Sequence, residues 1–295
     1  MQSNRPLYVN KRYLIPWIFV AAIGAFQFGY SMGVFNTLIA RLSNKFHWGD
    51  SEAILSGLVT TMVPLGATFG SFVGAPLSYL GRRRGMMINN TVLIVGCGIQ
   101  LIASVETICV GRFVQGVSSG IFSVIVPKFI NEVSPVFMSG SFGAIYQFMV
   151  TLGLFAAFLI GLGSKEHPSS KKFFEEEYWR IMFAIPIFVA LVQMILLWKA
   201  YPYETPKFLL KTKQDSEARD IIELIYGEEN LDPALKQIAP NESLTTFNET
   251  EIMAPLNVSW SELFKPRYRY ALFVGCALSM LQQLSGINML IFYSS

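Results

Sequence analysis

Charged residues divide this chain into long uncharged runs, and those runs decide what it can fold into. No Asp, Glu, Lys or Arg occurs between Arg12 and Arg41, Glu52 and Arg82, Arg84 and Glu106, Arg112 and Lys128, Glu132 and Lys165, or Arg180 and Lys199. Another such run extends from Arg269 to Ser295. A bilayer core of about 30 Å takes roughly 20 apolar residues per helix. Five of the runs meet that length directly. Those at Arg112–Lys128 and Arg180–Lys199 are shorter and span if their charged ends snorkel to the interface. The pattern predicts seven membrane-spanning helices. A chain that is 52% hydrophobic and only 15% charged is too apolar for an ordinary soluble domain.

Several function classes drop out. Cys97, Cys109 and Cys276 fall in or at the ends of apolar segments and read as small packing residues. His47 and His167 sit in predicted loops. The sequence holds no metal-ligand cluster and no Ser/His/Asp arrangement, so it predicts neither an enzyme nor a bound cofactor. The net charge of +3 predicts no nucleic-acid partner. The basic residues act instead as topology markers. Loops on one side, with Arg5, Lys11, Arg12, Arg82–Arg84, Lys128 and the cations from Lys199 to Arg269, hold sixteen of the 23 Lys and Arg. The positive-inside rule then predicts a cytoplasmic amino terminus.

Small and polar residues inside the spans carry the next layer. Gly29 and Gly33 share a helix face, and Gly66, Gly70 and Gly74 form a ridge in the second span, so both helices are expected to pack tightly. Pro64 and Pro76 invite kinks there. An unpaired polar group in hydrocarbon costs several kcal/mol, so amides at membrane depth must face a wet cavity or another helix. The amides of Gln282, Gln283 and Asn288 suit a cavity for a neutral polyol, since an amide both donates and accepts. Gln27 and Asn36 are candidates to face a polar lumen, and Gln147 is a lone amide that could face a ligand or a neighbouring helix. Gln282 and Gln283 point about 100° apart on a regular helix. A break at Gly286 would let them and Asn288 reach one cavity. Gln193 has no local motif and is given no site role. Between residues 202 and 269 charges return, and Ala218, Ile221, Ile222 and Ile225 show helical spacing.

Taken in order, these motifs resemble the sugar porter branch of the major facilitator superfamily, and its facilitative hexose transporters in particular. The resemblance rests on Phe26-Gln27-Phe28-Gly29-Tyr30, Gly81-Arg82-Arg83, Gly111-Arg112-Phe113, Glu132-Val133-Ser134-Pro135, Pro202-Tyr203-Glu204-Thr205-Pro206 and Gln282-Gln283-Leu284-Ser285-Gly286. It implies an all-α membrane protein, in which residues 1–13 are a cytoplasmic lead and residues 14–201 form the amino-terminal six-helix bundle. Residues 202–269 would be a cytoplasmic helical linker, and residues 270–295 the seventh transmembrane helix. Members have twelve helices, so the resemblance predicts that a second half is missing from this sequence. It implies a glucose-like hexose held by Gln147, Gln282, Gln283, Asn288 and Gln27, and a cytoplasmic gate of Arg82, Arg83, Glu132 and Glu204. The bilayer, the sugar, and a missing second half or a partner chain are the implied partners, and the plasma membrane is the implied location.

The departures matter as much. Proton-coupled relatives place an Asp where this chain has Ser31, so facilitated diffusion is expected ahead of proton symport. The family's Asp-Arg in the loop after the second helix is Ser78-Tyr79 here, its Arg after the fourth helix is Ser139, and Lys207 replaces an Arg. A thinner gate is expected. A non-transporting half that serves as a sensor or an interaction partner is the alternative from another class.

Overall fold

A computed structural model describes residues 9–162, 172–238, 265–266 and 269–285. Two compact units are present, residues 1–241 and residues 242–295.

In the first unit, α1 (Lys11–Gly33) leads through a short turned segment into α2 (Ile39–Phe46). Then come α3 (Glu52–Leu77), α4 (Arg82–Gln100), α5 (Val105–Val133), α6 (Ser139–Leu162) and α7 (Lys172–Ile195). The last continues as a π-helical turn over Leu196–Ala200. Among the described residues, five helical segments are long and apolar enough to cross a membrane: Lys11–Gly33, Gly49–Leu80, Val105–Val133, Ser139–Leu162 and Glu177–Ala200. The sixth helix of the bundle, α4, is 19 residues long and reaches about 29 Å. Its low hydropathy comes from Arg82–Arg84 at one end and from Asn89, Asn90 and Gln100, all three buried against neighbouring helices.

Helices α1 and α5 form the middle of the bundle. α5 packs along α3, α4 and α1, while α1 packs along α6, α5 and α7. The predicted glycine ridge is the reason α3 and α5 lie so close. A Cβ added at Gly66 would collide with the Phe113 carbonyl, and one at Gly70 with the Val117 carbonyl. Gly29 meets α6 in the same way, at the backbone of Val150. Without a hydrophobic drive between helices in lipid, this close backbone approach is what holds them.

The charged stretch between α1 and α3 is partly helical, with α2 at Ile39–Phe46. Phe35, Leu38 and Leu42 recur at helical spacing and bury against Trp179 and Phe183 of α7. The helix stops at His47, which adopts a left-handed φ of 52°. Ahead of the sixth span, α7 likewise begins among charged residues, and there Trp179 is buried and Lys45 pairs with Glu177 at 3.3 Å.

After the bundle come α8 (Pro206–Lys211), α9 (Asp215–Tyr226) and α10 (Leu231–Ile238), which belong to the same compact unit. α9 buries Ala218, Ile221, Ile222 and Ile225, the residues whose spacing predicted it, in one core with α1 and α5. The Asn10 amide donates to the Ile225 carbonyl at 2.8 Å and ties the start of α1 to α9.

In the second unit, the described helix is α11 (Arg269–Leu284).

Candidate functional site

The four expected gate residues meet at the end of the bundle that carries the amino terminus. The chain turns from α3 into α4 at Gly81, whose φ of 109° suits glycine. The turn exposes the first N–H groups of α4, and Glu204, from beyond α7, takes two of them. Its carboxylate accepts from the Arg83 and Arg84 amides, each at 3.0 Å. A carboxylate there satisfies orphan donors and complements the positive end of the helix. A Cβ at Gly81 would sit 2.5 Å from Glu204 Oε1, so a larger residue there would shift that carboxylate.

The side chains complete the junction. Arg82 Nη2 donates to Glu132 Oε1 at 2.5 Å, and Arg82 Nη1 to the Ser78 carbonyl at 3.1 Å. Thr205 Oγ1 donates to the other Glu132 oxygen at 2.7 Å. Both members of the ion pair are more than nine-tenths buried. Arg83 Nε donates to the Leu197 carbonyl at 2.7 Å, within the π turn of α7. The loop that lacks its family acid meets acids from α5 and from the segment after α7. Lys128, Ser78 and Thr205 also take part, with Lys128 Nζ donating to Ser78 Oγ at 2.8 Å. Sequence reading missed them because each is an ordinary residue in its own local motif.

The bundle interior holds polar groups that the sequence assigned differently. Gln27 was expected to face a polar cavity. Its side chain is instead buried, and Nε2 donates to Gln193 Oε1 at 2.9 Å and towards Asn90 Oδ1 at 3.3 Å. Asn90 donates to the same Gln193 oxygen, and Gln193 Nε2 donates to the Val20 and Ala21 carbonyls of α1. Gln193 thus links α1, α4 and α7, a role without any sequence signal beyond an amide at membrane depth. Gln193→Leu is expected to leave the Gln27 and Asn90 donors short of an acceptor and to cost about 1–3 kcal/mol. Thermal unfolding in detergent measures this, and the variant should keep wild-type affinity for any ligand.

Close by, Ser31 is fully buried against α5. Arg112 Nη1 donates to the Ser31 carbonyl at 3.0 Å, Gln115 Nε2 donates to Ser31 Oγ at 2.9 Å, and the Arg112 guanidinium lies 5.0 Å from the Phe35 ring centre. Among the described residues, Arg112 pairs with no carboxylate.

Gln147 lies on the exposed face of α6, next to exposed Phe148. In α11 the Gln282 side chain is exposed, and the helix runs on unbroken to Leu284. Gln147 and Gln282 belong to different units, each described by itself. Gln283 lies within α11, while Asn288 and the break expected at Gly286 lie outside the described residues.

The family model described as Sugar (and other) transporter matches residues 17–295. The chain belongs to the sugar transporter family. It is 31% identical over 291 residues to hexose transporter 1 of Toxoplasma gondii, covering 93% of this chain and 50% of that protein. Similarity to plastidic glucose transporter 4 of Arabidopsis thaliana is 31% over 96% of this chain and 48% of the relative. With the facilitated glucose transporter member 3 of Oryctolagus cuniculus it is 32% identical over 96% of this chain and 58% of the relative. This sugar transporter chain spans about half the length of the curated relatives it matches. Among solved structures it resembles the proton:xylose symporter XylE bound to 6-bromo-6-deoxy-D-glucose. The TM-score is 0.75 at 21% identity, over 97% of this chain and 62% of that one. The shared fold is that of the major facilitator superfamily, and this chain corresponds to its amino-terminal half.

Proposed function

We propose that this chain supplies the first half of a carrier that moves a hexose across a membrane by facilitated diffusion. The observation that carries the uncoupled mode is the surroundings of Ser31. A proton relay in a membrane needs a titratable group at depth. Here a hydroxyl and a backbone carbonyl, not a carboxylate, receive the donors of Gln115 and Arg112. The sugar specificity rests on the hexose and glucose relatives and on the exposed amide of Gln147, which can both donate to and accept from sugar hydroxyls. The exposed Gln282 amide of α11 offers the same chemistry. A net 0.5–1.5 kcal/mol per hydrogen bond keeps binding weak enough for release.

In this reading the Arg82–Glu132–Glu204 junction keeps α3, α4, α5 and α7 rigid as one rocking body, as alternating access requires. The basic end faces the cytoplasm, by the positive-inside rule, and the carrier works at the plasma membrane.

The test uses the product of the native full-length transcript in proteoliposomes. Glucose counterflow is expected, with no accumulation when a pH gradient is imposed. Gln147→Leu is expected to weaken sugar affinity up to about tenfold while membrane insertion is unchanged. Uphill uptake driven by the pH gradient overturns the uncoupled mode. Unchanged affinity in Gln147→Leu removes that residue from the site.

A further inference from the structure

The gate junction absorbs one acid and one base almost completely, and beside it three lysines are left without an acid. Glu132 is occupied by Arg82 and Thr205. Lys128 feels Arg82, Lys207 and Lys211 as like charges and Glu132 as the one opposing charge. Lys128 and Lys211 also converge on one aromatic ring: their ammonium groups lie 5.7 Å and 5.8 Å from the centre of Tyr79. Among the described residues, neither lysine nor Lys207 forms an ion pair. Tyr79 is 64% exposed, and Ser78 Oγ holds Lys128 towards the same spot. Like charges gathered around one ring repel each other unless an anion joins them.

What lies below the cluster narrows the anion. α3 leads up to Tyr79 with Phe69, Phe72 and Val73 exposed, and Leu80 follows, exposed as well. A strip of apolar side chains thus runs along the span and ends at the lysines. This order matches a lipid, with acyl chains along α3 and a charged head at the cations.

We propose that Lys128, Lys207, Lys211 and Tyr79 form a binding site for a phosphate group, that of an anionic phospholipid seated on the exposed face of α3. The lysines balance the phosphate charge, the Tyr79 hydroxyl donates to a phosphate oxygen, and Phe72 and Val73 contact the chains. Lys207 and Lys211 are exposed and can be neutralised without opening the core.

The experiment is native mass spectrometry of the purified chain in detergent, titrated with phosphatidic acid and, separately, with phosphatidylcholine. Phosphatidic acid is expected to be retained preferentially. Two basic side chains at a membrane surface predict a loss on the order of 30-fold in that retention for the double variant K207Q/K211Q. Retention should also fall in about 0.5 M salt, where screening shortens the reach of charge. Tyr79→Phe is a second variant that removes only the hydroxyl and is expected to weaken retention while leaving thermal stability unchanged. Competition with inorganic phosphate separates two sources of the same chemistry. Displacement at millimolar phosphate assigns the site to a soluble phosphate, and persistence assigns it to the lipid. Equal retention of the two lipids, or equal retention by wild type and K207Q/K211Q, overturns the proposal.

Discussion

Glu132→Ala is expected to destabilise the folded bundle by about 3–5 kcal/mol, the usual cost of removing one member of a buried ion pair. The Arg82 guanidinium would remain more than nine-tenths buried with only the Ser78 carbonyl to receive its protons, and Thr205 would lose its acceptor. The pair contributes more than its own energy, because Glu132 ends α5, Arg82 starts α4, and Thr205 begins α8. One carboxylate therefore fixes three elements at one end of the bundle. Thermal unfolding followed by tryptophan fluorescence in detergent measures the loss. Glu132→Gln retains an acceptor for Arg82 and Thr205 and should lose less. Adding Arg82→Ala to Glu132→Ala should return part of the stability, since no orphan charge remains, and the cycle isolates the coupling of the pair. A loss below about 1 kcal/mol, the range of an exposed ion pair, would mean that the junction is solvated and not a latch.

Gly70→Leu is expected to cost about 3 kcal/mol, at the upper end of overpacking costs. The obstacle is the Val117 backbone carbonyl, which cannot rotate away as a side chain can. Gly120 of α5 faces the Ala67 backbone of α3 in the same manner, so the two helices are locked on both sides of the contact. Relief requires α3 to move off α5, which exposes backbone to lipid and loosens the link from α3 through Ser78 to Lys128. Gly98 is the control. It lies inside α4 with nothing within 4 Å of an added Cβ, so Gly98→Ala should be neutral or slightly stabilising. Size-exclusion profiles and unfolding temperatures of the two variants test the contrast. A Gly70→Leu protein as stable as wild type would show that the α3–α5 contact is looser than the structure has it.

The gate residues were legible as types and positions. A glycine before three arginines, an acid at the end of an apolar run and another midway between two prolines are local patterns, and the chain order carries them. What joined them was not legible. That Glu204 caps α4, that Glu132 divides its oxygens between Arg82 and Thr205, and that Lys128 reaches Ser78 all depend on elements separated by tens of residues or more.

Gln27 shows the same limit more sharply. Its sequence context marked it as an amide at membrane depth, which must face either water or another helix. The sequence alone does not choose between them. In a soluble protein the apolar stripe of a helix reveals its inner face. In a bilayer the lipid is as apolar as the core, so a span is hydrophobic all round and no stripe points inward. The uncharged runs therefore determined that the chain crosses a membrane as helices, and the glycine spacing determined that some of them pack closely. Only the packing of α1 against α4 and α7 turned Gln27 towards Asn90 and Gln193, and left Gln147 exposed on α6.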